Sequence, residues 1–185
     1  LVIRRGGPAL VLPALAAASG AGTVCWNQAY EPAARDEEER VRRALNAAGV
    51  ESSVQRTGLL FEPDAIASGG GAPYRVFTPF WRSCLERGVH RTAPAAPKRL
   101  PPPAAWPPGD SLESLGLEPR PDWAGGLRAT WTPGEAGAAA RLDLFAERLV
   151  AGYAEGRDLV AQEFTSRLSP HLHLGEITPL QIWER

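Results

Sequence analysis

The sequence predicts an α/β protein in which a parallel sheet is followed by a proline-rich linker and a helical region. Short apolar runs alternate with helical patterns over residues 1–90. Ten of the eighteen prolines fall within residues 92–133, and apolar residues resume a helical spacing after residue 134. Because strands that alternate with helices form parallel sheets with helices on their faces, the first of these regions predicts such a sheet.

The first elements follow from proline, glycine and short apolar runs. Residues 1–3 are apolar and predict a strand, and a helix is expected between Pro8 and Gly20, with Pro13 as a late first-turn proline or a kink. Residues 23–26 predict a buried strand, and residues 50–54 predict another.

Residues 33–48 show the clearest helical pattern in the chain. One side carries an apolar stripe formed by Val41, Ala44, Leu45 and Ala48. The other side is charged, and the spacing predicts ion pairs of Glu38 with Arg42 and of Glu39 with Arg43. The run of charges is therefore expected to be a solvated helix face.

A third helix is predicted from Thr78 and Pro79, as an N-cap and a first-turn proline. It carries three aromatic residues near two arginines: Phe77, Phe80, Trp81, Arg75 and Arg82. Aromatic and arginine side chains can stack on nucleic-acid bases, but packing of the aromatic residues against the sheet is the expected role.

The proline-rich stretch 92–133 predicts a long connector without regular elements. Trp106, Trp123 and Trp131 indicate that it lies on a folded surface instead of forming a free tether.

Composition excludes several classes of protein. The net charge of −1 gives no global basic field for nucleic acid, so a DNA contact requires a local patch. No apolar run reaches the roughly 20 residues of a membrane span, and no signal peptide is recognised. Cys25 and Cys84 form no CxxC motif, so we expect small buried side chains and a cytoplasmic location.

After residue 134, Leu142, Phe145, Leu149 and Tyr153 predict an amphipathic helix. Ser169-Pro170 and Thr178-Pro179 then predict two helix starts, and Gly175 ends the first of these helices. Hydroxyl groups and an arginine gather at the first start and would either cap the helix or bind a phosphate or diphosphate: Thr165, Ser166, Arg167 and Ser169.

Other polar residues of this tail favour structural roles. His171 and His173 are two residues apart, so they do not face each other on a helix, and no third zinc ligand lies nearby. Arg157 and Asp158 are either a local ion pair or active residues. No GxGxxG motif follows a strand, and neither a Walker motif nor a nucleophile elbow is present.

Three segments resemble the DNA photolyase and cryptochrome family: WNQAYEPAARDEEERVRRAL (residues 26–45), PYRVFTPFWR (73–82) and YAEGRDLVAQEFTSRLSPHLHLGEITPLQIW (153–183). The resemblance covers nearly the whole chain in the same order. It implies a parallel Rossmann-like sheet in an antenna domain (1–90), an interdomain linker (91–134) and the start of an all-α FAD-binding domain (135–185). The chain is then expected to be an internal segment that lacks the first strands of the antenna domain and most of the FAD domain.

The resemblance also implies roles for particular residues. Tyr153 is expected to contact FAD, and Arg157 to lie near the backbone of bound DNA. The FAD diphosphate would be held by a segment of five residues: Thr165, Ser166, Arg167, Leu168 and Ser169. Capping and phosphate binding would then both hold for this segment. No catalytic residue and no electron-relay tryptophan can be assigned.

The implied activity is light-driven, FAD-dependent splitting of cyclobutane pyrimidine dimers in damaged DNA, by an enzyme that is expected to be a monomer. A cryptochrome-type photoreceptor without repair activity is the alternative, and the isolated chain is expected to be inactive and poorly soluble. Ala33 and Ala34 replace the Asn-Glu pair of folate-binding members, so a folate antenna bound in that manner is not expected. A deazaflavin, another pigment or no antenna remains open.

Overall fold

The computed structural model describes residues 1–185. Contacts within the chain divide it into two compact units, which comprise residues 1–56 with 95–125, and residues 57–94 with 126–185. These units cut the chain at other positions than the sequence patterns do. The domain boundaries at residues 90 and 134 therefore stay predictions.

The first unit contains a two-stranded parallel sheet with helices before and between its strands. Its elements are α1 (Pro8–Ser19), β1 (Thr23–Asn27), α2 (Pro32–Ala47) and β2 (Glu51–Gln55). The register pairs Thr23 with Glu51 and Asn27 with Gln55. The predicted α/β class and the parallel pairing are confirmed.

Local signals explain where these helices begin and end. Pro8 and Pro32 open α1 and α2, where a missing N–H group leaves no helical bond unmade. Gly20 ends α1 at φ +71°, a conformation that glycine adopts without strain. The apolar stripe of α2 buries Val41 and Leu45, and α1 packs against α2.

The start of the chain differs from the prediction. Residues 1–3 form no strand, because they contact the proline-rich segment instead of the sheet. The N–H of Asp110 donates to the carbonyl of Ile3 at 2.8 Å, and the N–H of Arg5 donates to the Asp110 carboxylate at 2.9 Å. The strand predicted at residues 1–3 is therefore wrong.

Two further expectations for the first unit are corrected. Cys25 is exposed, because β1 alternates half-buried and exposed residues and is not buried on both faces. Glu38 does not pair with Arg42, because its carboxylate accepts hydrogen bonds from Trp26 Nε1 at 3.0 Å and from the N–H of Ala29 at 2.7 Å. The predicted pair of Glu39 and Arg43 is present at 2.8 Å.

The second unit is helical. Its regular elements are α3 (Phe77–Arg87), α4 (Gly125–Thr130, which begins at the unit boundary), α5 (Glu135–Leu144), a π-helical turn (Phe145–Leu149), a 3₁₀ turn (Val150–Gly152), α6 (Tyr153–Gly156), α7 (Ser169–His173) and α8 (Pro179–Glu184). Its core is a cluster of Ala138, Leu142, Leu168 and Ile177, with Ile182 packed against it. The helix predicted to reach residue 153 thus changes pitch twice on the way.

The third predicted helix forms, but its start and its aromatic residues differ from the prediction. Thr78 caps nothing, because α3 begins at Phe77 after Val76. Phe80 is half-buried and Cys84, one turn later, is buried as expected. Phe77 is 71% exposed and its ring stacks on the exposed Trp81 at 6.4 Å, so the predicted core packing is wrong for this pair.

The proline-rich stretch is also more regular than predicted. A 3₁₀ turn forms at Glu113–Leu115, and α4 forms at Gly125–Thr130. Both elements lie in proline-free intervals, residues 109–118 and 122–132, so the backbone N–H groups that they need are available. No helix of the chain combines the length and the apolar composition that a membrane crossing requires.

Candidate anion-binding site

The loop between α6 and α7, residues 157–168, contains an aromatic ring that packs on two glycines. Phe164 lies against Gly152 and Gly156, which are one helical turn apart. A Cβ atom on Gly152 would lie 2.6 Å from the Phe164 ring, and one on Gly156 would overlap it. The glycines therefore provide the flat surface that anchors the loop next to α6. Sequence reasoning missed this contact, although glycines four residues apart within a helical pattern are a usable signal.

Arg141 on α5 holds this loop near its C-terminal end. Its Nε donates to the carbonyl of Ser166 at 2.9 Å, and its Nη2 donates to the carbonyl of Thr165 at 3.2 Å. The Arg141 side chain is only 17% exposed. Sequence reasoning missed this residue as well, because no pattern links an arginine in a helix to carbonyls about 25 residues further along.

The loop backbone then adopts a conformation suited to anions. Arg167 has φ +52°, and it is the one non-glycine residue with positive φ. Leu168 follows in the right-handed helical region, at φ −87° and ψ −7°. A left-handed residue next to a right-handed one turns successive N–H groups toward one concave surface, a nest that binds anions.

Most of the N–H groups around this nest make no hydrogen bond within the chain. The N–H groups of Ser166, Arg167 and Ser169 donate to no group of the chain, and the N–H of Leu168 reaches only the Ser166 hydroxyl, at 3.4 Å. The hydroxyl groups of Thr165 and Ser169 are also unbonded within the chain. Such a set of donors can form hydrogen bonds to the oxygens of a phosphate or diphosphate.

Charge near the nest is balanced. Arg167 pairs with Glu163 at 2.7 Å, and both side chains are about half exposed. Arg141 lies 4.0 Å from the same carboxylate. An anion at the nest would therefore compete with Glu163 for Arg167.

The helix starts on either side of Gly175 differ from each other. Ser169 is the first residue of α7 and caps nothing, so its predicted N-cap role is wrong. Thr178 caps α8 as predicted: its hydroxyl accepts from the N–H of Gln181 at 3.2 Å, and its own N–H donates to the Gln181 side chain at 2.8 Å. Gly175 ends α7 at φ +71° as predicted.

Leu168 and His171 connect the loop to the interior. Leu168 is 3% exposed and its side chain belongs to the core, so only its backbone faces the nest. His171 is 4% exposed, and its Nδ1 lies 2.5 Å from Glu176 Oε2. The hydrogen bond from His171, together with one from the Gly134 backbone, holds the pKa of Glu176 below its ordinary value.

Tyr153 and Arg157 lie one turn apart, at α6 and directly after it. The Tyr153 ring, 39% exposed, meets Phe145 edge-to-face at 5.8 Å, and the Arg157 guanidinium lies 6.0 Å from its centre. Arg157 also lies 3.8 Å from Asp158, in an exposed ion pair. Residues 165–168 thus lie in one loop, Ser169 begins α7, and Tyr153 and Arg157 are accessible.

The fold and this loop together define an α/β protein joined to a helical segment that carries a nest of backbone N–H donors. The profile of the DNA photolyase family matches residues 1–103. The chain therefore belongs to the DNA photolyase family.

Known relatives agree with this assignment over nearly the whole chain. A deoxyribodipyrimidine photo-lyase of Agrobacterium fabrum is 41% identical over 185 residues, which is 99% of this chain and 38% of the relative. Cryptochrome-2 of Arabidopsis thaliana is 31% identical over 173 residues, 90% of this chain and 28% of that protein. The crystal structure of a bacterial class III photolyase from Agrobacterium tumefaciens superposes with a TM-score of 0.89 at 41% identity, over 97% of this chain and 37% of that one. The chain thus spans less than two-fifths of the length of these relatives.

Proposed function

We propose that this chain belongs to a light-driven DNA photolyase, in which it holds the diphosphate of FAD. The activity proposed for the whole enzyme is the splitting of cyclobutane pyrimidine dimers in damaged DNA. The nest at Arg167 and Leu168 carries the proposal, because the N–H groups of Ser166, Arg167 and Ser169 have no partner in the chain.

The residues present fit the dinucleotide. A diphosphate needs several hydrogen-bond donors directed at one point, and the loop offers N–H groups of Ser166, Arg167 and Ser169 together with nearby hydroxyls. Leu168 contributes through its backbone, while its buried side chain fixes the loop to the core. Tyr153 would contact the same cofactor from α6, which the Phe164 contact joins to the loop.

The chemistry supplied with FAD is light-driven electron donation to the dimer. The residues of this chain would bind FAD and orient the DNA. Arg157, exposed at the end of α6, would position DNA through a backbone phosphate, a contact that carries no sequence information. Such a contact requires Arg157 to leave the weak ion pair with Asp158.

The antenna pigment is a separate question. Ala34 lies in the first turn of α2 and lines an apolar cleft of 370 Å³ together with Val24 and Val41. Ala33 and Ala34 stand where the family resemblance implies an Asn-Glu pair in folate-binding members, and neither alanine offers an amide or a carboxylate. We therefore propose a deazaflavin, another pigment or no antenna, instead of folate bound at this position.

The test uses the polypeptide expressed from its complete reading frame, with Thr165→Val and Ser169→Ala as variants and Thr92→Val, an exposed threonine, as the control. A hydrogen bond to a charged phosphate contributes about 1.5–3 kcal/mol, so each site variant should weaken FAD binding roughly tenfold or more. Cyclobutane dimers in an oligonucleotide should disappear under blue light with the wild-type protein. A colourless wild-type protein would refute the proposal.

The similarity to Cryptochrome-2 supports a second candidate, a blue-light photoreceptor without repair activity. Flavin binding is common to both candidates. A yellow protein that leaves the dimers intact under light would favour the photoreceptor.

A further inference from the structure

We infer that Arg141 is a positioning residue for the nest: it turns the N–H groups of Ser166 and Arg167 outward, toward the anion. This inference rests on the proposed flavin site. Arg141 itself does not need to touch the ligand, because two of its donors are already used by the carbonyls of Thr165 and Ser166.

The geometry of the peptide group carries the inference. In a planar trans peptide, the carbonyl of one residue and the N–H of the next point in opposite directions. The carbonyl of Thr165 shares a peptide group with the N–H of Ser166, and the carbonyl of Ser166 shares one with the N–H of Arg167. Because Arg141 binds both carbonyls, both N–H groups are directed away from it. They are therefore available on the opposite side of the loop.

The conformation of the loop explains why the two hydrogen bonds from Arg141 are needed. Arg167 lies in the left-handed region at φ +52°, which is unfavourable for a residue with a Cβ atom. In the absence of outside contacts, the two peptide groups could rotate and direct carbonyl oxygens at the anion. The mostly buried guanidinium of Arg141 opposes this rotation, because its donors have a fixed planar geometry that matches two neighbouring acceptors.

Two ligands separate positioning from general stability. FAD carries the diphosphate and riboflavin lacks it, so a defect confined to the nest should weaken only FAD. The polypeptide expressed from its complete reading frame is compared with Arg141→Met, Arg141→Lys and the control Arg148→Met, an exposed arginine on the same helical run. Dissociation constants of both ligands are measured by flavin fluorescence.

Arg141→Met is expected to weaken FAD binding about tenfold and to leave riboflavin binding within about twofold of the wild type. Arg141→Lys, whose ammonium cannot satisfy both carbonyls in one plane, should show a smaller loss for FAD. Should Arg141→Met not fold, the Arg141→Lys protein gives the same comparison. Arg148→Met should match the wild type for both ligands.

Equal FAD affinity in the wild type and the Arg141 variants would overturn the inference alone. Equal losses for FAD and riboflavin would also overturn it, because they would show a structural role without any effect specific to the diphosphate. A wild-type protein that binds neither ligand would overturn the proposed function and this inference with it.

Discussion

Helices α2 and α5 use their arginines in different ways. On α2, Arg40, Arg42 and Arg43 pair with glutamates of the same helix, three or four residues away, and more than half of each side chain is exposed. On α5, Arg141 is mostly buried and binds carbonyls of a loop about 25 residues further along. The first arrangement leaves the shape of the backbone unchanged, whereas the second fixes the conformation of another segment.

The two units also differ in the contacts that stabilise them. In the first unit, α2 contributes to stability through its buried side, Val41 and Leu45. In the second unit, the apolar core is small, and specific contacts fix the path of the backbone. These contacts are the packing of Phe164 on Gly152 and Gly156 and the hydrogen bond between His171 and Glu176. Four predictions test this difference, and the largest effect is expected at the core of the first unit.

Replacing Leu45 by alanine should lower the free energy of unfolding by about 2–5 kcal/mol, because Leu45 is fully buried and the substitution leaves a cavity. Urea denaturation followed by circular dichroism measures the loss. Leu10→Ala is the matched control in the same unit, since Leu10 is 80% exposed and its loss should be within about 0.5 kcal/mol. Equal effects of the two variants would show that α2 does not supply the core.

Gly156→Ala should lower the free energy of unfolding by about 1–3 kcal/mol, because the added methyl group overlaps the Phe164 ring. Gly126→Ala is the control, since a Cβ atom there meets nothing within 4 Å. The control should be neutral or slightly stabilising, as alanine favours a helix over glycine. A Gly156→Ala protein as stable as its control would exclude the packing of Phe164 on α6.

Stability should fall in acid in a way that depends on Glu176. The pKa of Glu176 is lowered in the folded state from its ordinary 4.5, first by His171 and then by Gly134. The folded protein therefore gains stability from ionised Glu176 above about pH 4.5, and loses it as the pH falls through the lowered pKa.

Urea midpoints measured from neutral pH to about pH 3 should show this loss in the wild type, and a smaller one in Glu176→Gln. Glu155→Gln, which alters an exposed glutamate of α6, serves as the control and should keep the wild-type profile. Identical profiles for all three proteins would show that the His171–Glu176 hydrogen bond does not contribute to the pH dependence of stability.

Glu39→Gln should have the smallest effect. The pKa of Glu39 is lowered by Arg42 and Arg43, so the substitution removes real contacts, but these lie on an exposed helix face where water screens them. The melting temperature should change less than in Leu45→Ala, Gly156→Ala or Glu176→Gln, and the difference should shrink further at high salt. A loss as large as that of Leu45→Ala would contradict the contrast between α2 and α5.

Several features could be predicted from the sequence because their causes lie within a few residues. Pro8, Gly20 and the stripe of Val41 and Leu45 predicted α1 and α2, and the Thr178 cap and the turn at Gly175 were predicted from residue type alone. The roles given to Tyr153, Arg157 and residues 165–169 stay predictions, because no ligand contact tests them.

Other features depended on which segments meet. Nothing near Cys25, Phe77 or Trp81 in the sequence shows which faces of their elements are covered, and all three are exposed. The carboxylate of Glu38 bonds to Trp26 and not to Arg42, because the end of β1 lies within its reach.

For this protein, the sequence by itself determined the bounds of α1 and α2 and the capped start of α8, since capping, proline and helical spacing act over about one turn of backbone. Only the tertiary structure decided that Arg141 meets the carbonyls of Thr165 and Ser166 and that Phe164 rests on Gly152 and Gly156. The physical reason is that such contacts depend on how whole helices pack, which no short stretch of sequence specifies.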